Sequence, residues 1–326
     1  MRSVEIKVER FALARAFSIS RGSKTEAEVV TCTIRDGSLE GRGECVPYRR
    51  YGETVASVLD EIEVAKPDIL AGASRQDLLH ILKPGAARNA VDCALWDLEA
   101  KQSKTPAFSL VGESLPRPLV TAVTISLSDA ATMADYARRF AAHPLLKVKV
   151  GGDGDGERIR AVAAAAPNAR LILDANEGWT EKTVAENLAV AAECGVALIE
   201  QPLPAGKDAV LGELSHAVPI CADESLHSAD DLETIRGLYD AVNIKLDKTG
   251  GLTAALDLRR SARECGFGVM IGCMVGTSLA MAPALLLAQD ADFVDLDGPL
   301  LLARDRSPGL RYDGSLVFPP EPALWG

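Results

Sequence analysis

An α/β barrel behind an α+β domain is the fold this chain predicts, on three observations. From Pro118 onward, short apolar segments alternate with alanine-rich helical ones, with eight strands in all. Before that, the first ~115 residues run as strands and then as helices. The length, 326 residues, suits one large barrel or two domains better than a single small core. An open doubly wound sheet is the alternative; eight regular units favour closure.

Taken in order, residues 3–11 and 26–36 read as strands, with a short one near 41–45. Ala12–Thr25 between the first two carries Arg15, Arg21, Gly22 and Lys24 and reads as a long functional loop. Val46–Gly52 is turn-like. From Glu53, Val55, Val58, Leu59 and Ile62 fall at roughly helical spacing, followed by helices near 75–82 and 86–102. The barrel strands are expected at 119–125, 145–150, 170–175, 196–201, 219–223, 241–246, 268–272 and 292–297. Helices are expected at 128–141, 156–166, 180–194, 228–237 and 251–265. The expected domains are 1–115 and 116–311, with the tail 312–326 packing back on the first through Ser315–Phe318.

Composition narrows the partners. Net charge is −11, which disfavours nucleic acid or an anionic membrane surface. No apolar run approaches the ~20 residues that span a bilayer. Seven cysteines without a C-x-x-C pair suggest neither a disulfide framework nor a zinc site. The expectation is a cytoplasmic protein with a small-molecule ligand and no nucleic-acid or membrane partner. A homo-oligomer is compatible with the sequence, which does not set the oligomeric state.

The chemistry is expected at the C-terminal ends of the barrel strands, where this fold carries its sites. Lys147 and Lys149 end the second strand and share one face, because residues i and i+2 point the same way. Taken alone, they could equally be the solvated face of an edge strand. Asp174, Glu200, Asp223 and Lys245 then follow Lys149 at steps of 25, 26, 23 and 22 residues, each about one strand-plus-helix unit. Three hard oxygen donors without His or Cys suit Mg2+, completed by substrate and water oxygens. Individually, Asp174 or Asp223 could cap a helix, but Glu200 before Gln201-Pro202 is a poor cap.

A lysine on either side of such a metal has a chemical use. Two bases, one on each face of an acidic C–H beside a carboxylate, permit proton removal from one side and return on the other. That is racemisation or epimerisation through an enediolate stabilised by the metal and nearby cations. The metal and Lys147 would push Lys149 toward the neutral form. Lys248, in the next loop, reads as solvated. Gly151–Gly156 resembles a phosphate loop but lacks its lysine and hydroxyl, and reads as a turn capping the next helix. Asn176 and Glu224 read as groups holding the metal ligands in place. The four histidines fall outside the strand ends.

Lys-Val-Lys, then Asp, Glu and Asp, then Asn-Ile-Lys-Leu resembles the enolase superfamily in its muconate-lactonizing-like branch. The resemblance covers the whole chain and implies a modified TIM barrel, (β/α)7β, with an N-terminal α+β capping domain. Asp295-Leu-Asp297-Gly-Pro, Ile271–Thr277 and Pro47–Glu53 resemble the dipeptide epimerases within that branch. The resemblance implies one Mg2+ per subunit and L-Ala-D/L-Glu as the expected dipeptide, from murein peptide recycling. It implies that Asp295 and Asp297 hold the substrate's α-ammonium, that Lys147 polarises its carboxylate, and that Lys149 moves the proton. Two inward carboxylates at i and i+2 suit a cation; one metal-facing and one structural acid is the other option. Arg21 matches a capping-loop position that can meet the substrate's side-chain carboxylate, or is a solvated loop arginine. Thr124 is expected on the barrel side of the first strand, where a core hydroxyl fits equally. The other activities within reach are an N-acylamino-acid racemase, an o-succinylbenzoate synthase, a lactonizing cycloisomerase and a non-catalytic ligand-binding barrel.

Overall fold

The computed structural model describes residues 2–112 and 114–326. The chain opens with an antiparallel meander of β1 (Arg2–Ile19), β2 (Gly22–Asp36) and β3 (Leu39–Cys45). The expected loop over Ala12–Thr25 is instead a β-hairpin arm. Strand pairing shifts register between Ala12 and Phe17 and then resumes as Phe17–Lys24, Ser18–Ser23 and Ile19–Gly22. That irregularity breaks the period-2 pattern that marks a strand in sequence.

Four helices follow: α1 (Val55–Ala71), α2 (Arg75–Ile81), α3 (Ala86–Ser103) and α4 (Ala107–Val111). Thr54 and Ser57 form a reciprocal capping box at the start of α1, as do Ser74 and Asp77 at α2. α3 lies against β3 at Gly41 and Gly43. A Cβ on Gly43 would sit 2.1 Å from Ala90 O, and one on Gly41 2.1 Å from Ala94 O. Since both obstacles are backbone, Gly43→Ala must push the helix away. We expect a loss of about 3 kcal/mol, the upper end for overpacking, measured by urea denaturation with native protein as reference.

The second unit is a parallel barrel. Its strands are β5 (Val123–Ile125), β6 (Leu145–Lys149), β7 (Arg170–Asp174), β8 (Leu198–Glu200), β9 (Ile220–Ala222), β10 (Ala241–Ile244), β11 (Gly268–Ile271) and β12 (Phe293–Val294), each paired with its sequence neighbour. Ala122 N donates to Val294 O at 2.8 Å and joins the two ends. The helices between strands are α5 (Ala130–Arg139), α6 (Asp155–Ala165), α7 (Val184–Glu193), α8 (Leu232–Ile235), α9 (Leu246–Thr249), α10 (Leu252–Glu264) and α11 (Ser278–Leu287). Between β8 and β9 only a 3-10 turn, Ala209–Glu213, intervenes. The helix expected over 228–237 is reduced to α8 after a 3-10 turn. The architecture is a modified TIM barrel, (β/α)7β, carrying an N-terminal α+β unit.

The segment expected as one strand over 119–125 is divided. Leu119–Val120 forms β4 and pairs with β14 (Leu316–Val317), which pairs with β13 (Tyr312–Asp313). The strand-like part of the tail thus lies against β4, not against β1–β3. The last residues reach α3: Trp325 Nε1 donates to Cys93 O and Gly326 N to Asp97 Oδ1. Arg306 ties the two units together. Its guanidinium donates to Glu9, Glu44 and Thr31 of the meander and to Thr277 of the barrel.

One side chain from each barrel strand, or from the residue leading into it, fills the floor of the barrel: Ala122, Leu145, Ile172, Leu198, Cys221, Ala241, Met270 and Phe293. Strand alternation makes the next inward residue two positions on. On seven of the eight strands that residue is polar: Thr124, Lys147, Asp174, Glu200, Asp223, Asn243 and Asp295.

Candidate active site

The rim above this floor holds ionisable side chains in an unusual density, all at most 6% exposed. Lys147 Nζ lies 2.7 Å from Asp295 Oδ2, 2.7 Å from Glu200 Oε2 and 3.1 Å from Asp174 Oδ2. Lys149 Nζ donates to Asp174 Oδ2 at 2.5 Å. Lys245 Nζ donates to Asp223 Oδ2 at 2.6 Å and is 3.8 Å from Glu200 Oε1. Residues one strand-plus-helix unit apart in sequence are therefore neighbours in space.

Electrostatics follows from this pairing. Burial alone would lower Lys147 and Lys245, but Asp295 and Glu200 hold Lys147 well above its usual value, and Asp223 and Glu200 do the same for Lys245. Burial would raise Asp174 and Asp223, yet Lys149 and Lys147 hold Asp174 down, and Lys245 and Lys248 hold Asp223 down. Glu200 is the exception: burial and Asp174 push it up.

Among the described residues, no three carboxylate, imidazole or thiol groups are disposed as a ready-made metal cage. The ammoniums of Lys147, Lys149 and Lys245 sit on the carboxylate oxygens instead. The donor chemistry still fits a hard divalent cation. Asp174, Glu200 and Asp223 are at most 1% exposed on consecutive strands. Glu200 Oε2 makes no hydrogen bond, its contact with Lys147 lacking the alignment for one. A carboxylate raised by its own neighbours is one that gains from added positive charge.

Backbone strain marks the same rim. Asn176, Glu177 and Gln201, just past β7 and β8, have φ of 44°, 66° and 35°, a region costly for non-glycine residues. Asn176 N donates to Asp174 Oδ1 and Glu177 N to Gln201 O, which pins both turns. Gln201, absent from the sequence reading of the site, is fully buried. Its Oε1 accepts from Asp223 N and Ser225 N, and the two hydrogens of its Nε2 are shared among Leu203 O, Ser225 Oγ and Tyr239 Oη, each at 2.8 Å. Asn243 is a second residue the sequence reading passed over; its Nδ2 donates to Glu200 Oε1 at 2.8 Å. Its place in the inward series from Ala241 to Lys245 was the available signal.

A cavity opens over the lysines, lined by Lys147, Lys149 and Lys245, by Asp295, Asp297 and Thr124, and by Phe17 from the β1–β2 arm. Asp297 Oδ2 accepts from Thr124 N at 2.7 Å, and burial together with Asp295 raises its carboxyl. Asp295 Oδ1 is buried without a hydrogen bond.

Other expected residues sit elsewhere than anticipated. Arg21 does not extend an uncommitted guanidinium into the cavity. It pairs with Glu224 at 2.7 Å and Glu177 at 3.0 Å, and donates to Asn176 O and Tyr48 Oη. Arg50 grips Glu177 with two bonds of 2.6 and 2.7 Å. Asn176 and Glu224 thus meet the arm as well as the rim. Lys248 is not solvated: it is 2% exposed and bonded to Asp223. Lys24 lies on the same arm, on β2. It makes no ion pair or hydrogen bond among the described residues, and stands 5.9 Å from the Phe17 ring centre, with Lys149 5.7 Å from the same ring. Burial, and then Lys149, push it down to about 8. In Gly151–Gly156, Asp155 accepts from Gly151 N, Gly152 N and Trp179 Nε1, which uses that loop's amides to hold the turn before α6.

A barrel with this rim and this N-terminal unit defines a class. The chain belongs to the enolase superfamily: residues 1–112 match the mandelate racemase / muconate lactonizing enzyme N-terminal domain, and residues 130–297 the enolase C-terminal domain-like family. Within it, the chain is similar to the L-Ala-D/L-Glu epimerase of Escherichia coli (strain K12), at 46% identity over 96% of this chain and 98% of that protein. It is also 43% identical to an N-acetyl-D-glutamate racemase from Pseudoalteromonas sp, over 91% of this chain and 95% of that protein. Among solved structures, it superposes with a TM-score of 0.99 and 58% identity, over 100% of both chains, on an enolase family member from Agrobacterium tumefaciens. That protein has homology to dipeptide epimerases and was solved with sodium and L-Ala-L-Glu bound.

Proposed function

We propose that this chain is a Mg2+-dependent dipeptide epimerase that inverts the α-carbon of the C-terminal residue, with L-Ala-D/L-Glu as substrate. The observation that carries it is the placement of Lys149 and Lys245 on either side of three buried carboxylates, both lining one cavity. In this reading the barrel, 116–311, carries the chemistry, and 1–115 with the tail 312–326 covers it. Seven free cysteines suit a reducing, cytoplasmic setting, and murein peptide recycling is the source of such a dipeptide.

Asp174, Glu200 and Asp223 would hold the ion, which when bound draws electron density from the substrate carboxylate and acidifies the adjacent C–H. Lys147, anchored by three carboxylates, positions that carboxylate. One of Lys149 and Lys245, as the free amine, takes the α-proton from its face. The other, as the ammonium, returns a proton to the opposite face. Asp295 and Asp297 receive the substrate's α-ammonium, with Thr124 N fixing Asp297. Asn176 and Glu224 brace the ligands and, through Arg21, the arm that bears Phe17.

Lys24 takes over the part expected of Arg21. An ammonium without an anionic partner, beside the cavity, suits the side-chain carboxylate of a C-terminal Glu. Lys24→Ala is expected to lower kcat/KM for L-Ala-L-Glu about 10–100-fold, the worth of a charge-assisted hydrogen bond, and to leave a dipeptide with an apolar C-terminal residue nearly unchanged. Equal losses on both substrates would contradict that assignment.

A second reading, racemisation of N-acetylglutamate, draws on the 43% identical relative. The free-ammonium site at Asp295 and Asp297 favours the dipeptide. Assays of L-Ala-L-Glu and N-acetyl-L-glutamate side by side decide between them by the larger kcat/KM.

A further inference from the structure

Two lysines share Asp223, and geometry divides them. Lys248, on α9 directly after β10, donates from Nζ to Asp223 O at 2.5 Å, Asp223 Oδ1 at 2.6 Å and Asn243 O at 2.9 Å. An ammonium has three donors, so Lys248 is saturated. It lies outside the lining of the cavity. Lys245 lines the cavity and has one short contact, to Asp223 Oδ2. On the other flank, Gln201 Oε1 accepts from Asp223 N at 2.8 Å. Three of the four polar atoms of Asp223 are therefore engaged by Lys248 and Gln201, and the fourth contacts Lys245.

A lysine that moves a proton at the substrate must leave the carboxylate it rests on. In the reading above Asp223, 1% exposed, must also offer an oxygen to the ion, so something other than Lys245 has to hold its carboxylate in one orientation as Lys245 leaves. We propose that Lys248 is a positioning residue that keeps Asp223 charge-paired and fixed, so that Lys245 is released to the substrate's α-carbon. The assignment rests on the two-base epimerase reading above. Lys248 itself transfers no proton: its three donors are all engaged and it is not among the residues that line the cavity.

The test is α-proton exchange in D2O, with Mg2+, measured separately from L-Ala-L-Glu and L-Ala-D-Glu. Lys149→Ala and Lys245→Ala set the reference, each losing exchange from one epimer. Lys248→Met is expected to lose exchange from the epimer that Lys245→Ala loses, at least tenfold more than from the other. Lys248→Gln, which keeps donors but no charge, is expected to show the same bias. Equal loss from both epimers in a variant with native circular dichroism, or no loss, would overturn the assignment. A crystal structure of the unmodified protein with Mg2+ and L-Ala-L-Glu gives an answer that no variant's folding can obscure. Lys248 should still bond Asp223 Oδ1 and O while Lys245 has left Oδ2; Lys248 released with Lys245 retained would overturn it. If the two reference variants do not divide the epimers, the two-base reading itself falls.

Discussion

Lys149→Ala and Lys245→Ala should each slow epimerisation of L-Ala-L-Glu by about 10^2–10^4-fold, the contribution of a positioned general acid or base. Both substitutions should leave the fold standing. Without Lys149, Asp174 keeps Lys147 at 3.1 Å. Without Lys245, Asp223 keeps Lys248 at 2.6 Å. Neither buried carboxylate is stranded, so the penalty of several kcal/mol for breaking a buried ion pair is avoided. Steady-state polarimetry and thermal melting check the two halves. Retained epimerisation in both variants would remove the two-base mechanism. A large drop in melting temperature would mean that the lysines are structural counter-ions first.

Chelation should abolish activity, and added Mg2+ should restore it. Glu200→Gln should cost about 10^2–10^3-fold or more at ordinary Mg2+, as for loss of one oriented electrostatic group at a reacting centre. Glu200 is fully buried, between Asp174 and Asp223 in strand order, and bonded by Asn243. Its amide would keep an oxygen for Asn243 but lose the charge. Lys147 would then rest on Asp174 and Asp295 alone. Calorimetric titration of Mg2+ separates causes: a weakened affinity in Glu200→Gln fits a ligand, whereas unchanged affinity with lost activity would place Glu200 outside the metal's reach.

Much of this site was legible in the sequence because the barrel repeats itself. A strand and a helix per unit convert sequence spacing into angular position, so Lys149, Asp174, Glu200, Asp223 and Lys245 could be set on one rim from their numbers. Strand parity did the rest, separating Lys147 and Lys149 from Val148. Features without a period were lost. Lys248 is three residues past Lys245, and the turn of α9 folds it back under Asp223, so it looked like a loop lysine. The pairing irregularity between Ala12 and Phe17 hid the arm that carries Phe17 and Lys24. Arg21 was visible as a cation, but its partners, Glu177 and Glu224, are more than 150 residues away. Arg306 joins Glu9 and Glu44 across nearly the whole chain. Long-range ion pairs of this kind leave no local signature.

The most direct test incubates the native protein with L-Ala-L-Glu and Mg2+ in D2O and follows the two α-protons by NMR. The two-lysine rim predicts loss of the α-proton signal of the C-terminal residue, with the D-epimer accumulating and carrying deuterium, while the N-terminal α-proton is untouched. An unchanged C-terminal α-proton, or inversion without uptake of solvent deuterium, would contradict it.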